Sequence, residues 1–249
     1  MDRKMVVITG ASGGIGAALA QELAARGGFR LALVARRSAE LDAVVTHCGD
    51  AAFGIVADVT DRSAVQRIVS DVVAREGGID VWVNNVGRGI NRMPTETTDA
   101  DIDEMMLVNV KTALYGMQEV LPHFKKRNAG QVINISSLLG RAPFATFRAA
   151  YCGAKHFLNA ITDAFRREIQ ATHPAIRVTL FSPGVVATDF GANAAHGGPD
   201  SRGIPGAQDV TEVAHVLADL IGMPRDDVYS RTGHRSMMLE YLEALGQDP

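Results

Sequence analysis

An apolar run, Met5 to Ile8, ends in Thr9-Gly10-Ala11-Ser12-Gly13-Gly14-Ile15-Gly16 and leads straight into Ala17-Ala18-Leu19-Ala20. That is strand, glycine turn and helix in the order a dinucleotide-binding unit uses, and few folds accommodate it. Glycines let the backbone approach a pyrophosphate with no Cβ in the way. The helix N-terminus adds free N–H groups and a partial positive charge. Gly10, Ser12, Gly14, Ile15 and Gly16 are therefore the candidate phosphate-binding residues. Their spacing is looser than G-x-G-x-x-G, so the turn carries weight through its context rather than alone.

The context continues along the chain. Leu31 to Ala35, Ala52 to Ala57, Ile79 to Val83, Val132 to Ile135 and Ile176 to Phe181 are nearly continuous hydrophobic runs of strand length. This is the pattern of parallel strands covered on both faces. Between them, Val65, Ile68, Val69, Val72 and Val73 recur at helical spacing after an Asp61-Arg62-Ser63 start that supplies an N-cap. Met105, Val108, Leu114, Met117, Val120 and Leu121 mark another helix, which Pro122 should end or kink, and a third is expected from about 149 to 171. Strand, helix, strand throughout predicts an α/β fold: a Rossmann-type doubly wound parallel sheet with helices on both faces. Its ligand crevice should lie beyond the carboxyl ends of the strands. With 249 residues, 47% of them hydrophobic, and no Pro-, Ser- or charge-rich linker, the expectation is one domain over 1–249.

Composition excludes several classes. A net charge of −3 without a basic block gives no nucleic-acid surface. Met1-Asp2-Arg3-Lys4 and the five residues before Gly10 hold too few apolar positions for a signal-peptide core or membrane span, so a soluble, cytoplasmic protein is expected. The 7 histidines are scattered without ligand spacing, and the 2 cysteines, Cys48 and Cys152, form no C-x-x-C pattern. No metal site is expected, and both cysteines read as free thiols, Cys152 in a packing role.

The end of the second strand selects the cofactor. It reads Leu33-Val34-Ala35-Arg36-Arg37, where an acidic residue would bind the 2′-OH of NAD and arginine suits the 2′-phosphate of NADP. Arg36 is the principal candidate and Arg37 the lesser one; the competing reading of either is a solvated helix start. Asp58-Val59, ending the third strand, is placed to meet the adenine, with helix capping as the alternative role of Asp58. Asn84-Asn85-Val86-Gly87 ends the fourth strand and fits backbone packed against a cofactor, with Asn85 and Gly87 as candidates.

Proton chemistry points to Tyr151 and Lys155, i and i+4 on a helix and therefore on one face. An ammonium beside a phenol favours phenolate; the competing reading is a surface helix with a stacked lysine stem. Bringing a tyrosine from about 10 to about 7 takes roughly 4 kcal/mol. Ser137, ending Val132-Ile133-Asn134-Ile135-Ser136-Ser137, emerges at the crevice, whereas Ser136 points the other way and reads as structural. Asn109 is a poor helix former in an apolar setting, and a buried amide needs partners.

Together the T-G-x-x-x-G-I-G turn, the N-N-x-G strand end, Asn109, the serine before the Tyr-x-x-x-Lys helix and Pro183-Gly184 resemble the short-chain dehydrogenase/reductase family, from about Met5 to Tyr229. The resemblance implies a nicotinamide cofactor and a catalytic set of Asn109, Ser137, Tyr151 and Lys155. Tyr151 would be the general acid or base, and Ser137 would orient and polarise the carbonyl. Lys155 would hold the nicotinamide ribose and lower the tyrosine pKa, and Asn109 would support a proton-relaying water. Pro183, Gly184, the backbone of Val186, and Thr188 would contact the nicotinamide end. Two departures stand out. Val86 replaces the usual alanine, and Ser137 and Tyr151 are fourteen apart rather than thirteen, which a one-residue insertion around Arg141-Ala142-Pro143 absorbs.

The activity expected is NADP(H)-dependent interconversion of a ketone or aldehyde and its alcohol, with NADP(H) preferred over NAD(H). The alternative, a regulatory protein that senses NADP(H) without turnover, gives no reason for all four candidate catalytic residues. A sugar-nucleotide epimerase would need a larger C-terminal substrate domain than the residues after Pro183 provide. The segment at about 188–208, rich in Gly and Ala with Pro199 and Pro205, reads as a mobile lid. Leu138, Leu139, Phe144 and Phe190 suggest an apolar pocket. Apolar stripes on the helices around 105–121 and 157–165 suggest a homodimer or homotetramer.

Overall fold

In the computed structural model, which describes residues 3–229, all seven strands run parallel in one sheet. They are β1 (Lys4–Thr9), β2 (Phe29–Ala35), β3 (Ala52–Val56), β4 (Val81–Asn84), β5 (Gly130–Ile135), β6 (Ile176–Ser182) and β7 (Asp227–Tyr229). Their spatial order, β3-β2-β1-β4-β5-β6-β7, reverses direction between β1 and β4, and this switch point is where a doubly wound sheet opens its crevice.

The strands read as unbroken apolar runs because both faces are buried. Along β1, Val6 and Ile8 join one core with helices α1 (Gly14–Arg26), α2 (Ser38–Cys48) and α7 (Val210–Gly222). Met5 and Val7 join the other, with α3 (Arg62–Glu76), α5 (Thr112–Arg127) and α6 (Ala149–Gln170). The period-2 alternation sends neighbouring side chains to opposite cores. Asp61 caps α3 as expected, accepting from the Ser63 backbone N–H at 2.8 Å.

The helix expected around 105–121 differs from its sequence reading in two ways. It is divided into α4 (Asp99–Met106), a π turn (Leu107–Lys111) and α5, and Asn109 lies in the wide turn. Pro122 does not end α5, which runs on to Arg127 and stops at Asn128 in the left-handed conformation, φ 46°. Val120 and Phe124, flanking the proline, are fully buried in the sheet core, and that packing holds the helix through the lost backbone bond. The strand β7 and helix α7 went unread in the sequence. The part of the expected single domain beyond residue 229 lies outside the described residues. Among those described, no helix is long and apolar enough to cross a membrane.

Candidate active site

Every strand end on the expected crevice contributes to one cavity of about 830 Å³. Gly10, Ser12, Gly14 and Ile15 follow β1; Arg36 and Arg37 follow β2; Asp58 and Val59 follow β3; Asn85 and Gly87 follow β4; Ser137 follows β5; Pro183, Gly184, Val186 and Thr188 follow β6. Tyr151 and Lys155 complete it from α6. Of the candidates, only Gly16 and Asn109 stand behind the lining.

The glycine turn is built for close approach. Gly10 and Gly14 have φ of 67° and 53°, and a Cβ on Gly16 would come within 2.5 Å of the Gly10 carbonyl oxygen and 2.6 Å of Asn85 Nδ2. Asn85 fastens the turn to β4 by donating to the carbonyls of Thr9 and Gly10 at 3.1 and 3.2 Å. No side chain caps α1, so its first N–H groups are offered to the cavity, and Thr188 lies across from Gly14, 3.6 Å from where a Cβ would stand. These features fit the pyrophosphate of a dinucleotide cofactor.

At the other end, Tyr151 is 5% exposed, with Ser137 near enough to act on its phenol. The one-residue insertion has therefore not separated the pair. Lys155, 3% exposed, donates from Nζ to the Ile135 carbonyl at 2.9 Å and stands 5.7 Å from the Tyr151 ring centroid.

The family model for short chain dehydrogenases matches residues 4–197. The chain belongs to the short-chain dehydrogenase family. A Staphylococcus saprophyticus protein described as an uncharacterized oxidoreductase is 36% identical over 188 residues, covering 75% of this chain and 76% of its own. An alcohol dehydrogenase structure from the archaeon Thermococcus sibiricus, complexed with 5-hydroxy-NADP, is 28% identical with a TM-score of 0.79, covering 93% of this chain and 97% of its own. A Burkholderia phymatum short-chain dehydrogenase/reductase structure in complex with NAD shares the fold at 22% identity and a TM-score of 0.87, covering 100% and 96%.

As an oxidoreductase of this family, the chain departs from its sequence reading at several side chains. The tyrosine is not lowered: burial pushes the Tyr151 phenol up to about 12, outweighing the opposing influence of the Ser137 hydroxyl and the charge of Arg148. Burial also takes Lys155 down to about 7, so the ammonium is itself poorly sustained. Asn109 commits its amide to backbone, donating to the Arg88 and Met105 carbonyls at 3.0 and 3.1 Å and accepting from the Arg88 N–H at 3.1 Å. It reaches the site through Gly87, where an added Cβ would lie 3.1 Å from Asn109 Oδ1 and 3.5 Å from Lys155 Nζ.

Arg37, rather than Arg36, rests on the glycine turn, donating to Ser12 Oγ at 3.1 Å, while Arg36 pairs with Asp58 at 3.5 Å. The segment at 188–208 is hydrogen-bonded to the rest of the fold at several points: Ala195 N donates to Gly89 O at 2.8 Å, Gln208 N to Val185 O at 2.9 Å, and His196 meets Asp101 at 2.7 Å. Phe190 from this segment packs 5.8 Å from the Tyr151 ring. Ser136 is buried and bonded to Asn159, as its structural reading required. Cys152 is buried, its thiol pushed up to about 11 by desolvation, and no metal cluster exists among the described residues.

Leu138, Leu139, Phe144 and Phe190 do line the cavity, joined by Phe147 and Arg148, which sequence reasoning passed over. Nothing local marks those two, because they matter only through the fold of the 138–148 turns.

Proposed function

We propose that this oxidoreductase is NADP(H)-dependent and interconverts a ketone or aldehyde with the corresponding alcohol, Tyr151 acting as general acid/base. The observation that carries this reading is that Ser137, Tyr151 and buried Lys155 come together in the cavity that also takes in the glycine turn. When bound, the nicotinamide supplies or accepts the hydride. Ser137 and Tyr151 hold the carbonyl oxygen, and Tyr151, kept protonated by its burial, donates as negative charge develops there. Lys155 contributes positive charge when protonated and positions the ring it lies beside. At neutral pH, carbonyl reduction is the direction in which the resting form of Tyr151 is the reactive one.

The choice of NADP(H) rests on Arg36 and Arg37 after a β2 that ends in Ala35 instead of a carboxylate. Structures of this fold are complexed with 5-hydroxy-NADP or with NAD, and the two arginines support the NADP(H) reading for this chain. We further propose a small-molecule substrate, a cytoplasmic location and self-association as a dimer or tetramer. No observation favours the sensor without turnover. The test is oxidation of NADPH and NADH by the full chain across a panel of ketones and aldehydes. Turnover that Tyr151→Phe lowers by roughly 10²- to 10⁴-fold is expected. Turnover undiminished in that variant overturns the mechanism, and a preference for NADH overturns the cofactor assignment.

A further inference from the structure

Arg148, the residue before α6, and Arg166, within its last turns, are equally buried, 9% and 8% exposed. Arg166 is what a structural arginine looks like: it donates to the Val178 carbonyl at 2.8 Å and pairs with Asp163 at 2.8 Å. Arg148 has no such partner for its guanidinium among the described residues. It lies against Gly89, where an added Cβ would collide with Nη1, and 5.6 Å from the Phe147 ring, and it lines the cavity that holds Tyr151. A charge partly desolvated and left without a partner is costly, and burial already lowers this guanidinium's pKa. Evolved sites retain such a group where a ligand completes it.

The ligand it awaits is an anion. The neighbours of Arg148 do not include the glycine turn, so the cofactor phosphates are provided for elsewhere. Of the other cations on the cavity, Arg88 is paired with Glu104, Arg36 with Asp58 and Arg37 with Glu40, and Lys155 gives its ammonium to the Ile135 carbonyl. One guanidinium without a counter-charge, beside Phe147 and near Phe190, suits one negative charge, a carboxylate, better than a phosphate dianion. Arg148 is the residue before α6 and Tyr151 lies in its first turn, three positions on, and both line one cavity, so anion and reacting carbonyl are separated by a short spacer.

We propose that Arg148 binds the carboxylate of the substrate, so that the compound reduced at Tyr151 is a short oxo acid and the product a hydroxy acid; this rests on reading the cavity as a carbonyl-reducing site. The bond balance is that of the reduction itself: hydride adds to the carbonyl carbon, the proton from Tyr151 to the oxygen, and the carboxylate is unchanged.

The experiment compares 2-, 3- and 4-oxo acids with their methyl esters, using NADPH and the full chain, in parent, Arg148→Met, Arg148→Gln and Arg148→Lys. Expected is a preference for at least one acid over its ester, which falls by about 10- to 150-fold in Arg148→Met and Arg148→Gln, chiefly through KM, and is partly restored by Arg148→Lys. In parallel, melting temperatures are read with butanoate and butanamide, neither of which can be reduced. Butanoate alone should stabilise the parent, and neither should stabilise Arg148→Met or Arg148→Gln. If the parent reduces neither acid nor ester, the carbonyl reading fails while the butanoate arm still decides the anion site. An acid-to-ester ratio unchanged by Arg148→Met and Arg148→Gln, or butanoate stabilisation that survives both, overturns the proposal. A phosphate-bearing ketone preferred over every oxo acid overturns the choice of carboxylate.

Discussion

Replacing Lys155 with methionine should make the protein more stable and inactive at once. The lysine is 3% exposed, and its ammonium has the Ile135 carbonyl as acceptor but no carboxylate, which is why burial takes it from 10.5 down to about 7. The sign follows from proton counts. Between pH 7 and 10.5 the unfolded chain keeps the proton and the folded one releases it, so stability rises with pH across that window and levels off above it. Below about 7 both states are charged and the folded protein bears the full cost, on the order of 5 kcal/mol. Methionine fills similar volume without the charge, so Lys155→Met should gain several kcal/mol at pH 6.5 and much less at pH 10. Urea unfolding without cofactor at both pH values reads this directly, and NADPH oxidation reads the activity. Stability curves for parent and variant that run parallel with pH, or a variant less stable at pH 6.5, would refute the reasoning.

Tyr151→Phe should lower turnover by roughly 10²- to 10⁴-fold while leaving NADPH affinity, measured by fluorescence titration, near its parent value. Arg36→Ala should cut the preference for NADPH over NADH by about 10- to 150-fold, measured as the ratio of kcat/KM, and Arg37→Ala by less. Gly16→Ala forces a Cβ to within 2.5 Å of the Gly10 carbonyl oxygen and should cost about 1–3 kcal/mol, seen as weaker NADPH binding or a lower melting temperature. Light scattering should give a dimer or tetramer at micromolar concentration; Phe157, 48% exposed on α6, is the largest uncovered part of the stripe, since Ile161 and Phe165 pack onto the sheet core.

What was legible in the sequence was local or periodic. Strand ends, the glycine turn, the Asp61 cap and the i, i+4 pair Tyr151 and Lys155 are set by near neighbours in the chain, and the sheet's switch point then collects them. What was illegible depends on contacts across the fold. Whether Pro122 ends a helix is decided by how firmly Val120 and Phe124 are buried. Which of Arg36 and Arg37 meets the glycine turn is decided by the direction the chain takes into α2. The pKa of Tyr151 was read in the wrong direction because a neighbouring ammonium is visible in a sequence and desolvation is not.

Helix α6 shows how close structure and function can run. Tyr151, Lys155, Asn159, Thr162 and Arg166 form a polar stripe at helical spacing along its buried face, continued beyond its start by Arg148. Toward the C-terminal end each is satisfied within the protein: Asn159 by Ser136 and the Gly140 carbonyl, Thr162 by Asn134 and the Leu158 carbonyl, Arg166 by the Val178 carbonyl and Asp163. At the cavity end the satisfaction is incomplete. The phenol is driven up, the lysine driven down, and the guanidinium left without a counter-charge. A stripe that served only to pack the helix would be equally well paired along its length, since unsatisfied buried polar groups are what selection for stability removes first. The deficit is confined to the three residues that line the cavity, and a carbonyl oxygen at Tyr151 with a carboxylate at Arg148 would close most of it.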